Sequence, residues 1–156
     1  MEFQVGQIFA TDEEKLQVAI AEAKLGLAEG GIPIGAALFD EAGRLLGSGR
    51  NRRVQDGDAS MHVETSAFRN AGRQKSYRKV TLATSLSPCW YCSGLIRQFG
   101  IGRVLVGDDK NFMGGQDWVA EHGAELHVMN NPELIKIMGD FIEANPHLWN
   151  EDIGEE

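Results

Sequence analysis

Two short stretches hold the residues best suited to chemistry: His62-Val63-Glu64, and Pro88-Cys89-Trp90-Tyr91-Cys92, which contains both cysteines of the chain. Catalytic zinc commonly takes three protein ligands and keeps a fourth position for water, and His62, Cys89 and Cys92 supply that number. Two cysteines three apart in the first turn of a helix can turn their sulfurs to one metal. The N–H groups and dipole of the helix end favour thiolates there. Zinc lowers the pKa of bound water from about 16 towards 7, and a partner must still accept and return protons. Glu64 is the candidate. Residues i and i+2 do not share a helix face, so the reading requires His62 and Glu64 both to project past a helix N-terminus around one small cavity.

Taken apart, the pieces say less. A Cys-x-x-Cys alone suits a thioredoxin-like redox pair as well as a metal, which would make the chain a redox or zinc-binding interaction protein. His-x-Glu pairs are common on surface helices, and a structural zinc would want a fourth ligand from His122, His127 or His147. The combination is far more specific. His-x-Glu followed by Pro-Cys-x-x-Cys is the signature of zinc-dependent base deaminases, in which the Glu is acid and base rather than ligand.

The elements that must position these residues alternate between helix and strand. A helix is predicted over 12–29, with Asp12 as N-cap and Leu16, Ala19, Ile20, Ala23 and Leu27 at helical spacing until Gly30-Gly31. Ile34 to Phe39 and Arg44 to Ser48 read as an antiparallel hairpin around Asp40-Glu41-Ala42-Gly43. A helix over 60–71, capped by Asp58 or Ser60, carries His62 and Glu64 in its first turn. A strand over 80–85 runs through Pro88 into a helix that starts with the cysteines. Strands follow at 103–106 and 125–129, with a short helix near 115–121 between them and a last helix over 132–143. Residues 144–156 show no clear period. The predicted fold class is α/β: a three-layer α/β/α sandwich on a five-stranded mixed sheet, with the chemical motifs at helix N-termini that follow strands.

The chain has 156 residues, a common size for one domain, so residues 1–156 are read as a single unit. Its net charge of -8 disfavours a polyanionic partner. The local basic groups, Arg50, Arg52 and Arg53, then Arg69, Arg73, Lys75, Arg78 and Lys79, read as solvated faces, and nucleic acid is not an expected partner. No apolar run reaches the roughly 18 residues of a membrane span, and residues 1–12 lack a signal peptide pattern, so a cytoplasmic protein is expected.

Beyond the metal motif, the sequence resembles the cytidine-deaminase superfamily, and within it the yeast-type cytosine deaminases. The resemblance takes in residues 29–35 (EGGIPIG), Gly49-Arg50-Asn51, Thr84-Ser85-Leu86-Ser87-Pro88-Cys89, Asn111-Phe112 and the tail at 149–155 (WNEDIGE). It implies a homodimer of the α/β/α sandwich, one Zn2+ per chain, and hydrolysis of a free base, cytosine, to uracil and ammonia. Isocytosine, guanine, creatinine or another cyclic amidine would suit the same chemistry, and an adenosine in tRNA is the alternative within the superfamily. By resemblance, Asn51 hydrogen-bonds the pyrimidine ring, Asp152 receives its exocyclic amine, and Phe112, Trp149 and Ile34 wall it. Ser87 offers a backbone carbonyl and Val63 a backbone N–H. On local sequence alone the three apolar residues suit a core and Asn51 suits a turn. Trp90-Tyr91 stand where that family has Asp-Met, Val63 where it has Gly, and Asn150 where it has an aromatic. Such changes would reshape the pocket or the dimer contact.

Overall fold

The computed structural model describes residues 3–155. Helix α1 spans Asp12–Ala28, and β1 (Gly35–Phe39) and β2 (Leu45–Arg50) form the expected hairpin. Its turn is tied by Asp40, whose Oδ1 accepts from the Ala42 and Arg44 N–H groups at 3.0 and 2.8 Å. Then come α2 (Arg53–Asp56), α3 (Val63–Ala71), β3 (Thr81–Thr84), α4 (Trp90–Phe99), β4 (Arg103–Val106), α5 (Gln116–Glu121), β5 (Glu125–Val128), α6 (Pro132–Ala144) and α7 (Pro146–Ile153).

The sheet order is β2-β1-β3-β4-β5. β1 runs antiparallel to β2 and β3, whereas β3, β4 and β5 are parallel, joined through α4 and α5. Successive strand residues face opposite sides. Ala36, Leu38, Leu82, Val104 and Val106 therefore pack with Val63, Ala67, Ile96, Val119 and Trp149 from α3, α4, α5 and α7. Ala37, Phe39, Ala83 and Leu105 face the other way, against Val18 of α1 and Phe9. This is the three-layer α/β/α sandwich on a five-stranded mixed sheet. Two glycines set how close the helices lie: a Cβ on Gly35 would run into the Ala19 carbonyl of α1, and one on Gly49 into Ser66 and Ala67 of α3.

Several local expectations need correction. Thr11, not Asp12, caps α1, accepting from the Glu14 N–H at 3.2 Å. Leu27 is 45% exposed, because Gly26 takes the buried position beside Arg50 and Ile32. α3 and α4 begin at Val63 and Trp90, later than predicted, and α2 was not predicted at all. The tail forms a helix whose Pro146 sits in the first turn, where a missing N–H costs nothing.

Candidate active site

His62 is the N-cap of α3, with extended backbone at φ −73° and ψ 167°. Glu64 lies within the first turn. The i, i+2 difficulty is thereby resolved, because only one of the two residues is helical. Cys89 is the N-cap of α4 (φ −69°, ψ 176°) and Cys92 its third helical residue. N-cap and N3 side chains meet in a capping box, and the same geometry brings these two sulfurs together. Neither His62 nor Cys89 caps its own helix with its side chain, so both are free to face the space in front.

His62 Nδ1 lies 3.6 Å from Cys89 Sγ, and the ligand atoms of His62, Cys89 and Cys92 all lie within 4.8 Å of one another. Tetrahedral zinc with bonds of roughly 2.05 Å to nitrogen and 2.3 Å to sulfur sets ligand separations of about 3.6 to 3.8 Å. The donor set fits that ion. Its electrostatics agree: the hydrogen bond from Cys92, aided by His62, pulls the Cys89 thiol down to about 4. Donating that bond, together with burial, pushes Cys92 up. Two thiols sharing one proton become two thiolates when a cation displaces it. Among the described residues no fourth protein ligand is at hand: His122 Nδ1 meets the Trp118 carbonyl, His127 pairs with Glu125, and His147 is exposed.

These groups open into one shared cavity. Every site residue named from the sequence lines it: Ile34, Asn51, His62, Val63, Glu64, Ser87, Cys89, Cys92, Phe112, Trp149 and Asp152. It lies beyond the C-terminal ends of β3 and β4, where ligands gather in open α/β sheets. Loops after those strands bring Ser87 and Phe112, α7 brings Trp149 and Asp152, and the end of β2 brings Asn51. Trp149 and Phe112 meet edge to face at 5.6 Å. Both also pack against the core, so the packing and wall readings hold together.

Asn51 is 1% exposed, and its amide is held at both ends. Oδ1 accepts from the Arg53 N–H at 3.0 Å, a turn contact, while Nδ2 donates to Asp152 Oδ1 at 3.1 Å. Burial pushes the Asp152 carboxyl up, against the pull of His62 and Asn51. Glu64, 1% exposed, is raised to about 7 by burial and by the nearby Cys89 charge. A carboxyl poised near neutrality suits a group that takes and returns protons.

The sequence reading missed Leu86, Pro88 and Ile153, which also line the cavity. Leu86 and Pro88 lie inside the Thr84–Cys89 stretch already singled out. Ile153 had a signal of its own: Trp149, Asp152 and Ile153 are spaced i, i+3 and i+4, one helix face. Trp90 and Tyr91 do not touch this cavity. They border an outer hollow that shares His62, Cys89, Phe112, Asp152 and Ile153 with it, and Tyr91 meets the His62 ring edge to face at 5.1 Å.

Residues 9–108 match the family model of the cytidine and deoxycytidylate deaminase zinc-binding region. The chain belongs to the cytidine and deoxycytidylate deaminase family. This deaminase is 44% identical over 146 residues to a cytosine deaminase of Candida albicans, covering 92% of this chain and 97% of that one. It is also 31% identical over 145 residues to a tRNA-specific adenosine deaminase of Buchnera aphidicola, covering 85% and 94%. A solved guanine deaminase from Nitrosomonas europaea shares its fold, with a TM-score of 0.74 at 18% identity over 87% of each chain. The protein is a zinc-dependent hydrolytic deaminase.

Proposed function

We propose that this deaminase hydrolyses free cytosine to uracil and ammonia. The observation that carries the reading is the wall that α7 adds to the cavity, with Asp152 bonded to Asn51 and Trp149 set against Phe112. A wall at that place favours a flat free base over a ring that carries a ribose. The Candida albicans relative supports the same substrate.

Zinc held by His62, Cys89 and Cys92 supplies, when bound, a water acidic enough to attack C4 near neutral pH. The protein's own residues do the rest. Phe112, Trp149 and Ile34 clamp the flat faces of the ring. Asn51 keeps one amide hydrogen for the ring edge, Val63 offers a backbone N–H and Ser87 a backbone carbonyl. Glu64 takes the proton of the attacking water to the ring nitrogen. It then moves a second proton to the exocyclic amine, and the C4–N bond breaks as ammonia leaves. Asp152 accepts from that amine throughout.

The remaining assignments belong to the same proposal. One domain spans residues 1–156. Arg50, Arg52 and Arg53 are engaged by Glu22 and Glu29, Asp56, and Glu151, in line with reading that basic group as a solvated face. No helix among the described residues is long and apolar enough to cross a membrane, in keeping with a cytoplasmic enzyme. Exposed Trp90, Tyr91, Phe99 and Met113 give an apolar surface suited to a homodimer.

The test is ammonia release from cytosine, isocytosine, cytidine and a tRNA anticodon stem-loop. Turnover is expected with the free base. Robust deamination of cytidine or the stem-loop would refute the free-base reading.

A further inference from the structure

Thr84 ends β3 and is fully buried, at 0% exposure, behind the cavity wall rather than on it. Its Oγ1 lies 2.9 Å from the Leu86 carbonyl and 3.3 Å from Glu64 Oε1. A hydroxyl carries one proton and two lone pairs. From behind the wall this one side chain reaches both the Leu86 carbonyl and the inner oxygen of the Glu64 carboxyl, tying Glu64 to the end of β3 at a site where an unsatisfied oxygen would be costly.

We propose that Thr84 is a positioning residue for Glu64, pinning Oε1 so that the other carboxyl oxygen stays aimed at the reacting atoms. The proposal rests on reading Glu64 as the proton carrier. Thr84 never touches the substrate. A purely structural role, through Leu86 alone, would move stability and substrate binding. Positioning instead moves the chemical step and spares binding.

The experiment compares zinc-loaded full-length parent, Thr84→Ser, Thr84→Val, Thr84→Ala and Glu64→Gln, with cytosine as substrate, and solves the Thr84→Val crystal structure. Both variants lacking a hydroxyl are expected to lose about tenfold or more in kcat, with KM within about threefold and zinc content unchanged. Thr84→Ser should recover most of the loss. In the Thr84→Val structure the Glu64 carboxylate should leave its parental rotamer. An undisplaced Glu64, kcat of Thr84→Val and Thr84→Ala near that of the parent, or Thr84→Ser falling as far as Thr84→Val, would each overturn the proposal. Full activity of Glu64→Gln would instead remove Glu64 itself from the mechanism.

Discussion

Asn51 and Asp152 stand 101 positions apart in the chain and meet side chain to side chain, Nδ2 donating to Oδ1 at 3.1 Å. Because the Arg53 N–H fixes the other end of the Asn51 amide, the carboxylate is held in one orientation. Replacing that carboxylate by an amide at Asp152→Asn presents a donor to the amine of the substrate. The expected result is a loss of about 100-fold in kcat/KM for cytosine with zinc content unchanged, read by ammonia release. Near-parental turnover would remove Asp152 from amine recognition.

One zinc per chain is expected on metal analysis of the parent. His62→Ala and Cys89→Ala should lose most of it, since three ligands leave no spare donor. A chelator should lower the Tm of the parent and barely move that of the variants. Full zinc in both variants would contradict the ligand assignment.

Trp149 serves the core and the cavity at once, being 7% exposed and set edge to face against Phe112. Trp149→Ala should therefore cost about 3–5 kcal/mol in denaturant unfolding as well as most of the activity. Trp149→Phe keeps an apolar ring and should retain the greater part of both. Deleting α7 after Leu148 should abolish turnover. An active truncated chain would mean that α7 is not a working wall of the site.

Arg103 donates Nη1 and Nη2 to the two carboxylate oxygens of Asp12, both at 2.7 Å, fastening the start of α1 to β4. Those bonds hold the Asp12 carboxyl below its ordinary value, against the opposing effect of burial. The pair's stabilisation is present above the unfolded carboxylate pKa near 4 and is lost as pH falls through the lower folded value. Asp12→Asn should cost about 1 kcal/mol at pH 7. The gap in Tm from the parent should close as acid is added. A gap unchanged down to pH 2 would rule out the charged pair as its source.

The chemistry was legible in the sequence because it depends on residue types at short spacing. Cys89 and Cys92 fall at N-cap and N3, and His62 and Glu64 straddle a helix start, so local chain geometry alone aims them forward. The strands were legible for the same reason: short apolar runs such as 36–39 and 104–106, buried on both faces, are local patterns that the sheet merely completes. Tertiary structure decided what no local pattern carries. The tail has few apolar residues and a helix of one apolar face only, so its period emerges when Trp149, Asp152 and Ile153 turn toward one wall. Leu27 kept helical spacing yet faces solvent, because burial there goes to the side of α1 that rests on Gly35. Thr84 looked like any β-branched strand residue until folding set its hydroxyl against Glu64, 20 positions away. Contacts between distant segments cost chain entropy and are made only when the whole core forms, so they leave no trace in a short window of sequence.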